Sequence, residues 1–295
     1  MDRKKLKGNL MLLLTALIWG AAFVAQSVGM DYVGPFTFGF TRCILGGLVL
    51  IPCILFLDHM NGKKEAGNKK QLLLGGICCG CALFAGSTLQ QFGIKYTTVG
   101  KAGFITALYI IIVPVLGIFF GKKVEKKIWI SVFLAAVGMY LLCVKEDFRI
   151  GIGDLLVFAC AFAFAVHILV IDYFSARVDG VRMSCIQFFV CGILSGVGML
   201  LTETPSAAAV KSAFLPIAYA GILSCGVAYT LQIVAQRDTD PVVASLLLSL
   251  ESVFSVLAGW IILGQAMSVR EGLGCLLVFG GIILAQLTER NRSES

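Results

Sequence analysis

Ten long apolar runs, separated by short charged punctuation, leave this chain few ways to fold. They fall at 8–29, 34–57, 71–94, 99–121, 128–144, 150–171, 183–201, 213–236, 241–263 and 270–288. A hydrocarbon core of about 30 Å takes roughly 20 helical residues to cross, and within it every backbone polar group must be paired inside the protein. Runs of this length specify helices. The chain therefore reads as an all-α polytopic membrane protein of ten transmembrane helices, the fifth and tenth being the shortest. With 58 % hydrophobic and 14 % charged residues and a mean hydropathy of +0.92, it is no ordinary soluble domain. The longest connector, DHMNGKKEAGNKK at 58–70, is too brief to fold separately.

Orientation follows from the cations, which favour cytoplasmic loops. With a cytoplasmic N-terminus, only Lys95, Lys101, Lys145, Arg149, Lys211 and Arg270 of the 24 Lys and Arg residues fall on the outer side, and Arg42 is the one inside a span. Both termini are expected in the cytoplasm and the chain in the plasma membrane. The first nine residues hold Arg3, Lys4, Lys5 and Lys7 and run into the first span with no small-residue cleavage site, so a retained helix is expected rather than a signal peptide. The loop bias accounts for the net charge of +7 without a nucleic-acid partner. The expected partners are the bilayer and a small-molecule substrate, in a monomer or a homodimer. All 11 Cys lie in the spans, and even the Cys78, Cys79, Cys81 cluster lacks a second ligand pair at metal-site spacing. They read as small hydrophobes, and no metal or cofactor is called for.

Within the span bounded by Asp240 and Gln265 lies a single carboxylate, Glu251, close to the middle. A charge at that depth costs roughly 2.5–3.5 kcal/mol on insertion scales, so Glu251 should face protein or a wet cavity. It is the leading site residue, the competing reading being a structural carboxyl bonded between helices.

The chain also repeats itself. At an offset near 142–145, Gly8-Asn9-Leu10 falls on Gly153-Asp154-Leu155, Thr88-Leu89-Gln90 on Thr230-Leu231-Gln232, Gly121 on Gly264 and Gly138 on Gly281. Two copies of five spans follow, 8–144 and 150–288. Because five is odd, the second enters the membrane in the opposite sense, an architecture that places binding sites near the midplane of the repeat interface.

The five-plus-five pattern, Ala16–Gly20 (ALIWG), Phe40–Arg42 (FTR), Leu263–Gln265 (LGQ) and the Gly280-Gly281 pair together resemble the drug/metabolite transporter superfamily of EamA type. The resemblance implies two inverted halves around a cavity lined mainly by helices 1, 3, 4, 6, 8 and 9, short peripheral fifth and tenth helices, and small metabolites such as amino acids as substrates. Gln265 stands where that family commonly has an acid, and Ser252 where it commonly has a proline.

Polar residues inside the spans name the candidate substrate-binding groups. Ser87, Gln90 and Ile94 share one face of helix 3 at i, i+3 and i+7, and the offset of 142 carries them onto Tyr229, Gln232 and Gln236 of helix 8. These stripes line a cavity or bond neighbouring helices. Thr15, Trp19, Phe23 and Gln26 share a face of helix 1; packing is the plainer reading of the aromatics, but a buried Trp19 N–H would want a partner. Tyr109 maps at an offset of 143 onto Ser252, next to Glu251, and is a candidate cavity wall. Arg42, with Gln187 as its counterpart, reads as structural rather than as a contact for a substrate carboxylate. His167 is a second candidate for proton coupling beside Glu251, against the plainer reading of a packed histidine. Gly76 with Gly80, and Gly192 with Gly196, have the spacing of close helix packing.

Hydrolytic and nucleotide motifs are absent: there is no Gly-x-Ser-x-Gly or His-Glu-x-x-His, and Gly93–Lys101 has the wrong spacing and lacks the Ser or Thr of a phosphate loop. The sequence thus points to a secondary transporter, an exporter of small polar metabolites working by alternating access with Glu251 as the candidate proton carrier, and not to an enzyme. A channel-like facilitator and an integral membrane enzyme using Glu251 and His167 are the alternatives. The cation bias makes a direct prediction: a cysteine placed in the 58–70 loop will resist impermeant thiol reagents on intact cells, whereas one within 204–208 will be labelled.

Overall fold

The computed structural model describes residues 3–61, 68–97, 99–119, 121, 124–143, 150–263 and 268–294. The remaining positions, among them 62–67 of the 58–70 connector and Gly264 and Gln265 of the LGQ motif, lie outside the described residues. Ten helical spans follow in order: α1 (Arg3–Gly29), α2 (Pro35–Asn61), α3 (Lys69–Ile94), α4 (Val99–Ala107 and Tyr109–Phe119), α5 (Lys126–Cys143), α6 (Ile152–Ser175), α7 (Gly180–Thr202), α8 (Phe214–Ala218, Tyr219–Tyr229 and Thr230–Gln236), α9 (Pro241–Leu248 and Leu250–Leu263) and α10 (Val269–Glu294). Among the described residues, eight of them are long and apolar enough to cross a membrane, and α9 contributes a shorter apolar stretch, Pro241–Leu257. The tenth helix is longer than its apolar run because the polar tail continues the helix beyond Thr288.

Burial is distributed as a bilayer demands. Leu55, Phe119, Leu200 and Leu276 are more than 60 % exposed on the outer surface, while Gln90, His167, Gln187, Gln232 and Glu251 are buried. Apolar side chains face lipid and polar ones face the interior.

Helix ends are set by local chemistry. Asp240 accepts from the Val242 N–H (2.8 Å) with Pro241 at the first helical position, which starts α9 where the apolar run begins. Asp179 likewise accepts from the Arg182 N–H (2.8 Å) and starts α7 a few residues ahead of its run. Glu203, at the end of α7, reaches the start of α2 instead. It accepts from the Phe36 and Thr37 N–H groups (2.9 and 2.8 Å) and from the Thr37 hydroxyl (2.6 Å). At the other end of the same helix pair, Arg182 donates to both oxygens of Asp58 (2.6 and 2.7 Å). Helices α2 and α7 are therefore tied at both ends.

The repeat seen in the sequence appears as contacts that occur twice. A Cβ on Gly8 would lie 3.4 Å from the Ala235 carbonyl, and one on Gly153 would lie 2.9 Å from the Gly93 carbonyl, so α1 meets the end of α8 as α6 meets the end of α3. Gly138 and Gly281 are partners in one crossing: a Cβ on the first would fall 2.7 Å from the Gly274 carbonyl, and on the second 2.7 Å from the Ser131 carbonyl. That crossing pairs α5 with α10. Gly76 and Gly80 seat α3 on Ile186 and Val190 of α7, and Gly192 and Gly196 seat α7 on Ile44 and Phe40 of α2, as their spacing implies.

Among the described residues, three helices depart from regular winding. α4 is interrupted at Leu108 and α9 at Ser249, two positions at matching places in the two halves. In α9 the hydroxyls of Ser245, Ser249 and Ser255 each donate to the carbonyl three residues back (2.7–2.8 Å), a competition with the helical ladder that bends helices. In α4, Pro114 removes one N–H from the second segment. The middle of α8, Tyr219–Tyr229, is a π-helix.

Removing the Glu203 side chain should cost more stability than neutralising the partly exposed Asp58–Arg182 pair. Glu203→Ala is expected to cost about 1–2 kcal/mol as a lost helix cap, and Asp58→Asn at most about 1 kcal/mol, measured by thermal melting of the purified protein in detergent.

Candidate functional site

The breaks in α4 and α9 place two polar side chains face to face between the halves. Tyr109, the first residue after the α4 break, donates its hydroxyl to Glu251 Oε1 at 3.2 Å, and Glu251 is the second residue after the α9 break. The two lie 142 positions apart, the repeat offset itself, so the pseudo-two-fold axis passes between them. The offset of 143 that pairs Tyr109 with Ser252 is thus one residue too long at this point. Ser252 donates instead to the Gly103 carbonyl (3.4 Å). Gly20 of the ALIWG motif brings α1 against the same spot: a Cβ there would sit 2.9 Å from the Glu251 carbonyl.

Around this pair is a cavity of about 510 Å³, its mouth included. Its wall comes from α1 (Trp19, Ala22, Phe23, Gln26), α2 (Arg42), α3 (Gln90), α4 (Thr106, Tyr109), α6 (Phe164, His167, Ile168), α8 (Ser224, Tyr229, Gln232) and α9 (Leu248, Glu251). Most of the wall obeys the repeat. Trp19, Ala22 and Phe23 correspond to Phe164, His167 and Ile168, and Gln90, Thr106 and Tyr109 to Gln232, Leu248 and Glu251. Gln26, Arg42, Ser224 and Tyr229 have no lining counterpart, which makes the cavity chemically one-sided.

Hydrogen bonds position the amides. Gln90 Nε2 donates to Thr106 Oγ1 (3.2 Å), Gln232 Nε2 to Gln236 Oε1 (3.0 Å), and Gln236 Nε2 to the Ile168 carbonyl (3.1 Å). The Tyr229 ring is the aromatic hub, with centroids of Trp19 at 4.5 Å and of His167 and Phe188 at 5.9 Å. His167 Nε2 lies 3.0 Å from Gln187 Oε1. Three buried atoms on wall residues find no hydrogen-bond partner among the described residues: Trp19 Nε1, Arg42 Nε and Gln232 Oε1. An unmade bond of this kind typically costs about 1–3 kcal/mol.

Of the residues expected from sequence to bind substrate, Glu251, Gln90, Gln232, Tyr109, Tyr229 and Trp19 all reach the cavity, as does His167. Ser87 does not. It sits one turn along α3 with its hydroxyl 3.5 Å from the Phe84 carbonyl and 3.9 Å from Cys191 Sγ, facing α7. Thr15 also turns away, donating to the Ala228 carbonyl (3.1 Å). Arg42, read from sequence as structural, stands on the wall. Ser224 and Thr106 were not singled out by sequence. Thr106 is three residues before Tyr109 and so shares its face. Ser224 shares a face with Tyr229 because i and i+5 align in a π-helix, whereas a period of 3.6 sets them well apart.

The sequence pattern of the EamA-like transporter family matches the chain twice, over residues 6–144 and 151–287. The chain belongs to the EamA-like transporter family. An uncharacterized transporter of Archaeoglobus fulgidus is 30 % identical over 96 % of this chain and 87 % of its own length. The uncharacterized transporter YoaV of Bacillus subtilis is 22 % identical over 94 % of this chain and 95 % of its own. A solved structure, described only as the crystal structure of a protein, superposes with a TM-score of 0.80 at 21 % identity, covering 98 % of this chain and 99 % of that one; this is a likeness of fold. The protein is a multi-pass membrane transporter.

For this transporter, Gln90→Leu and Gln232→Leu are expected to lower transport several-fold while leaving monodisperse yield near that of the wild type, because each removes a polar wall group and keeps its volume. Uptake or efflux per folded molecule in reconstituted vesicles checks it; normal transport with poor yield would make the glutamines interhelical glue.

Proposed function

We propose that the protein is a secondary active exporter of small polar metabolites such as amino acids, working by alternating access with a coupled proton carried by Glu251. The observation that bears most of this reading is the Glu251 carboxyl itself. It is 5 % exposed, lines the cavity, and has the Tyr109 hydroxyl as its hydrogen-bond partner across the two halves. No cation among the described residues lies in ion-pair reach of this carboxyl, and an acid on the wall of a cavity inside a membrane protein is suited to exchanging a proton with water that reaches it. It can therefore load and release a proton on alternate sides. The Tyr109–Glu251 bond bridges two discontinuous helices at the repeat interface, where inverted-repeat carriers rock one half against the other. His167, its ring centroid 5.9 Å from that of Tyr229, also lines the wall and is the candidate relay.

With no nucleotide motif in the chain, an ion gradient is the energy source this reading requires. The location follows the same logic: plasma membrane, both termini cytoplasmic. An ammonium-bearing substrate would give Glu251 a different task, that of counter-ion. A facilitator would use the same polar wall with no coupled ion and would show no substrate-accelerated exchange.

Glu251→Gln keeps the shape and much of the hydrogen bonding but has no proton to release. A proton carrier with this change retains counterflow in proteoliposomes and loses accumulation driven by a pH gradient. Loss of counterflow as well would assign Glu251 to an ammonium, and unchanged pH-driven accumulation would return it to a structural role.

A further inference from the structure

The one-sided part of the cavity wall holds a guanidinium with no acid to match it. Arg42 is 6 % exposed, and no carboxylate among the described residues lies within ion-pair reach of it. Its Nη1 donates to Gln26 Oε1 at 3.2 Å, its guanidinium stands 5.5 Å from the Phe38 ring centroid, and its Nε finds no partner among the described residues. A charge so placed within a membrane protein is costly, and such residues pair with one another or mark a substrate path.

The repeat supplies an internal control for a purely structural role. Gln187 is the counterpart of Arg42, and it ties α7 to α6 through His167 (3.0 Å) as Arg42 ties α2 to α1 through Gln26. A neutral amide therefore makes the equivalent tether in the second half. The positive charge in the first half is surplus to that task.

One further feature gives the surplus charge a direction. Gln26, where Arg42 is anchored, lies six residues from Gly20, whose surface meets the Glu251 backbone; that is about 9 Å of helix rise, so an anion at Arg42 sits at a different depth from the Glu251 carboxyl. We infer that Arg42 is the specificity-determining residue of the transport site, its guanidinium receiving a carboxylate of the substrate. Arginine suits this because its planar donors match the two oxygens of a carboxylate, which a lysine ammonium does not. The inference deepens the carrier reading and rests on it.

The test compares acids with their own primary amides, using the L-amino acids and simple monocarboxylic acids as probes in counterflow with proteoliposomes of the full-length protein. Exchange is expected for one or more acids and at least tenfold less for the matching amides. Arg42→Gln should lower acid exchange at least tenfold, and Arg42→Lys should recover part of it. The wild-type acid-to-amide comparison decides the matter even if Arg42→Gln fails to fold. Equal exchange of acids and amides, exchange confined to amides, or wild-type acid exchange in a monodisperse Arg42→Gln protein would overturn the carboxylate site and leave the carrier intact. Exchange of no probe of either class would overturn both.

Discussion

Backbone pairing in hydrocarbon is the constraint on which everything else in this protein depends. A carbonyl or amide released from a helix facing lipid has no water to turn to, so irregular winding is confined to places lined by protein. The interruptions at Leu108 and Ser249 obey this rule: Ser249 is buried and Leu108 half-buried, next to the cavity residues Tyr109 and Leu248. The wide turns of α8 that end at Tyr229 pair their backbone within the helix, burying Ser224 and exposing Ile222 and Leu223. The irregular positions are thus also the ones that present Tyr109, Glu251, Ser224 and Tyr229 to the interior.

Close packing and polar function are allotted to different faces of the same helices. α1 uses Gly8 and Gly20 to approach α8 and α9, and shows Trp19, Phe23 and Gln26 to the cavity. α3 uses Gly76 and Gly80 against α7 and presents Gln90. Packing in lipid lacks a hydrophobic drive, so small residues that let backbones touch do the holding. The α5–α10 crossing, with Gly138 and Gly281 in reciprocal contact, lies away from the cavity and contributes no wall residue.

Symmetry and its violation divide the site. The paired wall residues give the two halves equivalent surfaces, and the Tyr109–Glu251 bond joins them across the axis. A substrate is not itself two-fold symmetric, and the groups without counterparts, Gln26, Arg42, Ser224 and Tyr229, are where the cavity departs from symmetry to meet it. The second half keeps the tether but not the charge, through Gln187 and His167.

Span number, the apolar outer face, the inverted repeat and the burial of Glu251 were all legible in the sequence, because each depends on local composition and spacing. So was the α9 start, since Asp240 and Pro241 cap a helix wherever they occur. Six of the seven expected substrate-binding residues reach one cavity, because a polar stripe in an apolar span turns from lipid toward a cavity or a neighbouring helix. Ser87 is the exception, because facing the cavity or facing α7 is a choice between neighbours that a period of 3.6 does not encode. The π-wound part of α8 changed which residues share a face and so hid Ser224. Whether Arg42 met an acid, a lipid headgroup or a cavity was decided by tertiary structure alone, since the partner of a long cationic side chain depends on which helices surround it and not on its own segment.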